Sequence, residues 1–244
     1  MTHRQRFGTV VFDCDSTLSA IEGIEELAAE HRAEIAALTE AAMRGEVPLE
    51  EVYGRRLQLV RPSRAQLDAI GRRYLETLVP DARETIQALR REGIQVRIVS
   101  GGLRPAVLAL ASALGVEDDA VAAVDIYFDD AGRYAGFDAA SPLACSGGKR
   151  EILARWADRL PRPVMLVGDG ATDLEARPLV DLFVAFAGVV ERPPVTAAAD
   201  VVVRTRSLAP ILPLALGGQA PSNAADRGVF ERGLEMLQPL KLFS

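Results

Sequence analysis

The sequence predicts a doubly wound α/β fold whose sheet is mostly parallel, with a small helical cap inserted after the first strand. Three observations point to it. Short apolar, β-branched runs recur along the chain and end in polar or glycine-rich segments, the pattern of buried parallel strands. Amphipathic helical patterns lie between several of these runs. One block of helix after helix interrupts the alternation directly after the first run.

The first run is Phe7 to Phe12, Phe-Gly-Thr-Val-Val-Phe, and it opens into Asp-Cys-Asp-Ser-Thr. From Ile21 to about Leu78 the period becomes helical, with Ile21, Ile24 and Leu27 on one stripe and Leu49, Val52, Tyr53 and Leu57 on another. Ser63-Arg-Ala-Gln66 has the form of a capping box for a third helix carrying Leu67, Ile70 and Tyr74. Alternation resumes with a helix over Ala82 to Arg91, closed by Gly93, and a strand over Ile94 to Val99 that ends before Ser100-Gly-Gly. Arg104 to Leu114 follows as a helix, with Pro105 early and Gly115 after it. Val124 to Phe137, with Asp129-Asp130-Ala-Gly132 in the middle, reads as a β-hairpin flap beside the main sheet. Val164 to Val167, Leu182 to Phe186 and Val201 to Val203 supply the remaining strands. Residues 1–19 and 79–204 are expected to form the core, residues 20–78 the cap and residues 205–244 a C-terminal extension of unassigned role. In that extension Pro210, Pro213 and Gly217-Gly218 suggest a connector. Phe230, Leu234 and Leu237 then form a stripe suited to docking on the core or on a second subunit of a homodimer.

Composition narrows the function. At 244 residues the chain buries a substantial core without disulfides or a structural metal. A net charge of −6 provides no basic footprint, so nucleic acid is not an expected partner. The N-terminal Met-Thr-His-Arg-Gln-Arg-Phe does not resemble a signal peptide, and Leu208 to Leu216 is too short to span a bilayer. A cytoplasmic protein with no membrane partner is expected. Cys14 and Cys145 are the only cysteines and read as reduced thiols. The only histidines are His3 and His31, which leaves little for a Ser/His/Asp triad or a histidine-rich zinc site. Catalysis is expected to run on carboxylates.

Four short segments carry that chemistry. Asp13 and Asp15 stand two apart at a strand end, so extended geometry points both to one side and Cys14 to the other. Such a pair suits either a hard metal ion or a division of labour between acid and base, although Asp-x-Asp alone also fits a solvated capping loop. Asp169 and Asp173, in Gly168-Asp-Gly-Ala-Thr-Asp173, form a second acidic cluster after another apolar strand, where a glycine turn with a helix-capping Asp173 is the plainer alternative. Two such clusters at two strand ends fit Mg²⁺, which takes a few carboxylates together with water and substrate phosphate. In Ser100-Gly101-Gly102 the glycines let backbone N–H groups approach a phosphate while Ser100 adds a hydroxyl. Ser146-Gly-Gly-Lys149 places Lys149 at the positive end of an amphipathic helix; its spacing is not that of a P-loop.

In this order the four segments resemble the motifs of the haloacid dehalogenase superfamily, over about Val10 to Val203: Asp13-Cys-Asp15-Ser-Thr the first, Ser100-Gly-Gly the second, Gly148-Lys149 the third and Gly168 to Asp173 the fourth. Within it the chain resembles the phosphoserine phosphatase family through Glu22-Gly-Ile-Glu-Glu-Leu, Ala42-Met43-Arg-Gly-Glu-Val-Pro, Arg56-Leu-Gln-Leu, Tyr134-Ala-Gly-Phe-Asp and Ser146-Gly-Gly-Lys. The resemblance implies a haloacid dehalogenase-like, Rossmannoid fold and a Mg²⁺-dependent phosphomonoester hydrolase working through an aspartyl-phosphate. Asp13 would be the nucleophile and Asp15 the general acid and base. Asp13, the main-chain carbonyl of Asp15, and Asp169 would hold Mg²⁺, supported by Asp173. Ser100 and Lys149 would bind the phosphoryl oxygens, and Glu22, Met43, Arg56, Gly101 and Thr172 would contact the substrate, a small phosphomonoester. Thr172 stands where many relatives have Asn, Leu49 where an aromatic is frequent and Leu103 where Phe often follows Ser-Gly-Gly. Phosphoserine is the expected substrate. Another small phosphorylated metabolite such as phosphothreonine, phosphoryl transfer to an alcohol such as homoserine, and a non-enzymatic phosphorylated switch are the alternatives.

Overall fold

The computed structural model describes residues 5–28, 31, 33–35, 37–38 and 49–237; Met43 lies outside them. The chain begins with β1 (Thr9–Phe12), α1 (Gly23–Leu27), α2 (Leu49–Val60), α3 (Arg64–Glu76) and α4 (Ala82–Arg91). It continues through β2 (Gln95–Leu103), α5 (Arg104–Leu114), β3 (Val121–Val124), β4 (Ile126–Phe128), β5 (Tyr134–Phe137) and α6 (Gly148–Trp156). The last part comprises β6 (Val164–Gly168), α7 (Ala171–Ala176), β7 (Leu182–Phe186), α8 (Pro193–Ala198), β8 (Val201–Val203), α9 (Ile211–Ala215) and α10 (Arg227–Leu237).

Among the described residues six strands form one parallel sheet in the order β3-β2-β1-β6-β7-β8. The order runs outward in both directions from β1 and β6, so the reversal point lies between them, and there an open α/β sheet leaves a crevice at the carboxyl ends of its strands. β1 is buried at every position, as a central parallel strand must be. Val10 and Phe12 face one apolar layer and Val11 the other. The first layer brings in Ile86 of α4, Leu110 of α5, Ile211 of α9 and Phe230 of α10; the second brings in Leu57 of α2, Ile152 of α6 and Val195 of α8.

The Ser63 box caps α3 as expected: the Gln66 N–H donates to Ser63 Oγ at 3.3 Å and the Ser63 N–H to Gln66 Oε1 at 2.8 Å. β4 and β5 form the expected hairpin, paired antiparallel. Two expectations change. β2 continues through Ser100-Gly-Gly to Leu103, with a shift in its register against β3 between Val99 and Leu103. A Cβ on Gly102 would lie 2.8 Å from Asp15 Oδ2, so glycine is what lets the extended chain pass that carboxyl. The expected connector after Arg204 contains α9, whose residues are all buried. Pro213 is its third residue, where the missing N–H has no helical partner to lose. Phe230 and Leu237 of α10 pack into the first layer with it, so the stripe docks on the core of its own chain.

Candidate active site

β1 and β6 end side by side, and the Asp13 N–H donates to the Val167 carbonyl at 2.9 Å. Asp13 and Asp169 therefore leave adjacent strands into the same crevice. Both are nearly buried, at 7% and 4% exposure. Asp173, on α7, is fully buried and turns back beneath them, with Oδ2 accepting from the Gly170 N–H at 3.0 Å. Lys149 comes from the first turn of α6 and bridges the cluster. Its Nζ lies 2.9 Å from Asp13 Oδ1 and 2.7 Å from Asp173 Oδ1. Burial alone would lower this ammonium's pKa, but the two carboxylates outweigh it and push it above the usual lysine range, so Lys149 stays charged.

One oxygen from each of Asp13, Asp169 and Asp173 falls within 4.8 Å of the others. Three buried carboxylates around one lysine leave excess negative charge. Arg192, between β7 and α8, makes an ion pair with Asp169 and lies 3.5 Å from Glu22 Oε1. Thr17 donates to Asp169 Oδ1 at 3.1 Å. A set of hard oxygen donors with surplus charge fits a divalent cation.

Asp15 is held from the helical insertion. Its Oδ1 accepts from the Gly23 N–H at 2.7 Å and from the Tyr74 hydroxyl at 2.6 Å, while Oδ2 lies 3.5 Å from Ser100 Oγ. Burial, then the nearby charge of Glu22, pushes the Asp15 carboxyl up to about 7 against the pull of the Tyr74 hydrogen bond. Cys14, between the two aspartates, faces the apolar layer, and burial keeps its thiol protonated. Glu22 accepts from the Ser16 hydroxyl at 2.6 Å.

Asp13, Asp15, Lys149 and Asp169 line a cavity of about 300 Å³ whose walls include Glu22, Arg56, Gly101, Thr172 and Arg192. Ser100 and Asp173 stand behind the wall: Ser100 is fully buried and its Oγ accepts from the Gly102 N–H at 2.9 Å. Thr17 closes the first motif, whereas Tyr53, Tyr74 and Arg192 belong to the site but not to the motifs. The two tyrosines read as members of apolar stripes, and Tyr53 also ties α2 to the end of β2 through a 2.8 Å bond to the Gly101 carbonyl. Arg192 had a usable signal, since it lies in a strand-to-helix loop just before Pro193.

Residues 7–177 match the haloacid dehalogenase-like hydrolase family, and the chain belongs to it. Closer relatives narrow the group. A phosphoserine phosphatase from Bos taurus is 39% identical over 186 residues, covering 75% of this chain and 83% of its own. A chloroplastic phosphoserine phosphatase from Arabidopsis thaliana is 39% identical over 196 residues, 78% of this chain and 66% of its own. A solved substrate-bound phosphoserine phosphatase complex superposes with a TM-score of 0.71 at 27% identity, over 85% of this chain and 98% of that one. Within the superfamily the chain falls among the phosphoserine phosphatases.

Proposed function

We propose that this enzyme hydrolyses L-phosphoserine to L-serine and phosphate through an aspartyl-phosphate on Asp13. The observation that carries this reading is the meeting of Asp13, Lys149, Asp169 and Asp173 at the reversal point of the sheet, with Asp15 beside them. Asp13 attacks phosphorus as the seryl oxygen–phosphorus bond breaks, and Asp15 gives its proton to the departing oxygen. Serine leaves. Asp15, now a carboxylate, takes a proton from water as that water attacks the aspartyl-phosphate, which releases phosphate and restores Asp13. Lys149 neutralises charge on the phosphoryl oxygens, a role suited to an ammonium fixed between two carboxylates. Ser100 shapes the strand end behind Gly101 and Gly102, and its hydroxyl is the one we assign to the phosphoryl group. Asp13, the Asp15 main chain and Asp169, backed by Asp173, are the residues we assign to Mg²⁺. When bound, that ion would supply Lewis-acid neutralisation of the phosphate dianion.

Phosphoserine carries an ammonium and a carboxylate besides its phosphate. Glu22 and Arg56 offer one opposite charge for each, with Thr172 and Gly101 completing the wall and Met43 assigned to it from the sequence alone. Arg192 adds a second cation to that wall. The helices over residues 20–78 then act as a cap that closes on the substrate and excludes water. Among the described residues no helix is long and apolar enough to cross a membrane; the cytoplasmic setting is assigned from the sequence alone. The test is phosphate release from a panel of phosphomonoesters. Wild type should turn over L-phosphoserine fastest and lose activity in EDTA, with recovery on adding Mg²⁺. Asp13→Asn should lose about a thousandfold or more on every ester. Preference for another ester would overturn the substrate; turnover by Asp13→Asn near wild type would overturn the mechanism.

A further inference from the structure

Tyr74 is a fully buried member of the apolar layer, packed with Leu18 and Ile70, yet its hydroxyl reaches Asp15. The space for that reach is made elsewhere in the chain. A Cβ on Gly23 would lie 2.2 Å from the Tyr74 oxygen, so only glycine at position 23 admits the phenol. The Gly23 N–H then donates to the same Asp15 oxygen, at 2.7 Å against 2.6 Å for the phenol. Two donors on Oδ1 leave no room for a proton on that atom. Oδ2 has only the longer 3.5 Å contact from the Ser100 hydroxyl and lies beside Gly102, which lines the cavity together with Asp15.

We propose that Tyr74 is a positioning residue of the reaction: with the Gly23 N–H it locks the Asp15 carboxyl so that its transferable proton rides on Oδ2, facing the leaving group. This rests on the reading of Asp15 as general acid. The donors come from α1 and α3 and the acid from the end of β1, so packing of the insertion and orientation of the acid are one event. A free carboxyl would share its proton between both oxygens and two rotamers, and would meet the leaving oxygen in only part of its population.

The experiment compares two esters by rapid-quench, single-turnover release of the leaving group with saturating Mg²⁺-loaded enzyme. L-Phosphoserine expels an alkoxide that needs the proton, whereas p-nitrophenyl phosphate expels a stable phenolate that does not. Tyr74→Phe keeps the ring and the packing and removes only the donor. It should slow leaving-group release from phosphoserine about tenfold at unchanged apparent affinity, and release of p-nitrophenolate by less than about twofold. Gly23→Ala, whose methyl displaces the phenol without altering Tyr74, should show the same discrimination and serves should Tyr74→Phe not fold. Asp15→Asn is the reference and should discriminate more strongly. If Asp15→Asn discriminates and the other two variants slow both esters equally, or neither, the role of Tyr74 is overturned alone. If Asp15→Asn slows both esters equally, the assignment of Asp15 as acid falls, and Tyr74 with it.

Discussion

In the proposed mechanism Asp15 is an acid in one half of the reaction and a base in the other, a role that needs a proton affinity near the working pH. Burial, followed by the neighbouring Glu22 charge, places it at about 7. The sign follows directly. In that mechanism phosphorylation of Asp13 by phosphoserine uses protonated Asp15, so its rate should fall as pH rises through about 7. Hydrolysis of the aspartyl-phosphate needs the carboxylate and should rise through the same interval. Pre-steady-state rates of the two steps against pH check this, and parallel profiles would refute the shared acid and base. Of the residues around this carboxyl, Asp13, Lys149 and Asp169 were legible in the sequence because each opens a strand-end or helix-start segment with its own local pattern. Tyr74 was not: it meets Asp15 across 59 positions, and its spacing on α3 is that of a core residue.

At the scale of elements, the C-terminal segment is fastened by charge as well as by apolar packing. Asp81, the residue before α4, has a left-handed backbone with φ of 62° and holds the extension at two points. Its carboxylate accepts from the Ser207 hydroxyl at 2.7 Å and from the Arg232 guanidinium of α10. Burial raises this carboxyl, but those hydrogen bonds outweigh it and hold it below the ordinary aspartate range. A depressed folded-state pKa contributes stability that is present above the unfolded value, about 3.9, and is lost as pH falls through the folded one. Urea unfolding below about pH 4 should therefore show a steeper acid loss for wild type than for Asp81→Asn; identical slopes would deny Asp81 that role. The sequence marked α10 by its stripe but hid α9, because Pro210 and Pro213 read as breakers and only their place at the helix start makes them harmless.

Across the whole molecule the sheet separates two apolar layers, and the extension is part of one of them. Leu208, Ile211, Leu212, Leu214 and Leu216 are fully buried, the Phe7 N–H donates to the Ala215 carbonyl at 2.8 Å, and Leu208 donates to the Pro80 carbonyl at 2.9 Å. Ending the chain at Arg204 would strip this cover from α4 and the sheet, exposing a large apolar face. Such a truncation should lose its cooperative thermal transition and aggregate on expression; a soluble truncation that melts cooperatively would show that α9 and α10 are dispensable.

The sequence by itself determined the doubly wound sheet, the helical insertion and the acidic and basic residues at the strand ends, because strand periodicity and strand-end chemistry are written over a few consecutive positions. Tertiary structure alone decided that Arg192 meets Asp169, that Tyr74 and Gly23 share one oxygen of Asp15, and that residues 207–216 belong to the core. Those contacts join distant segments, and a side chain's partner across the chain depends on where packing places both backbones, which leaves no trace in the local pattern.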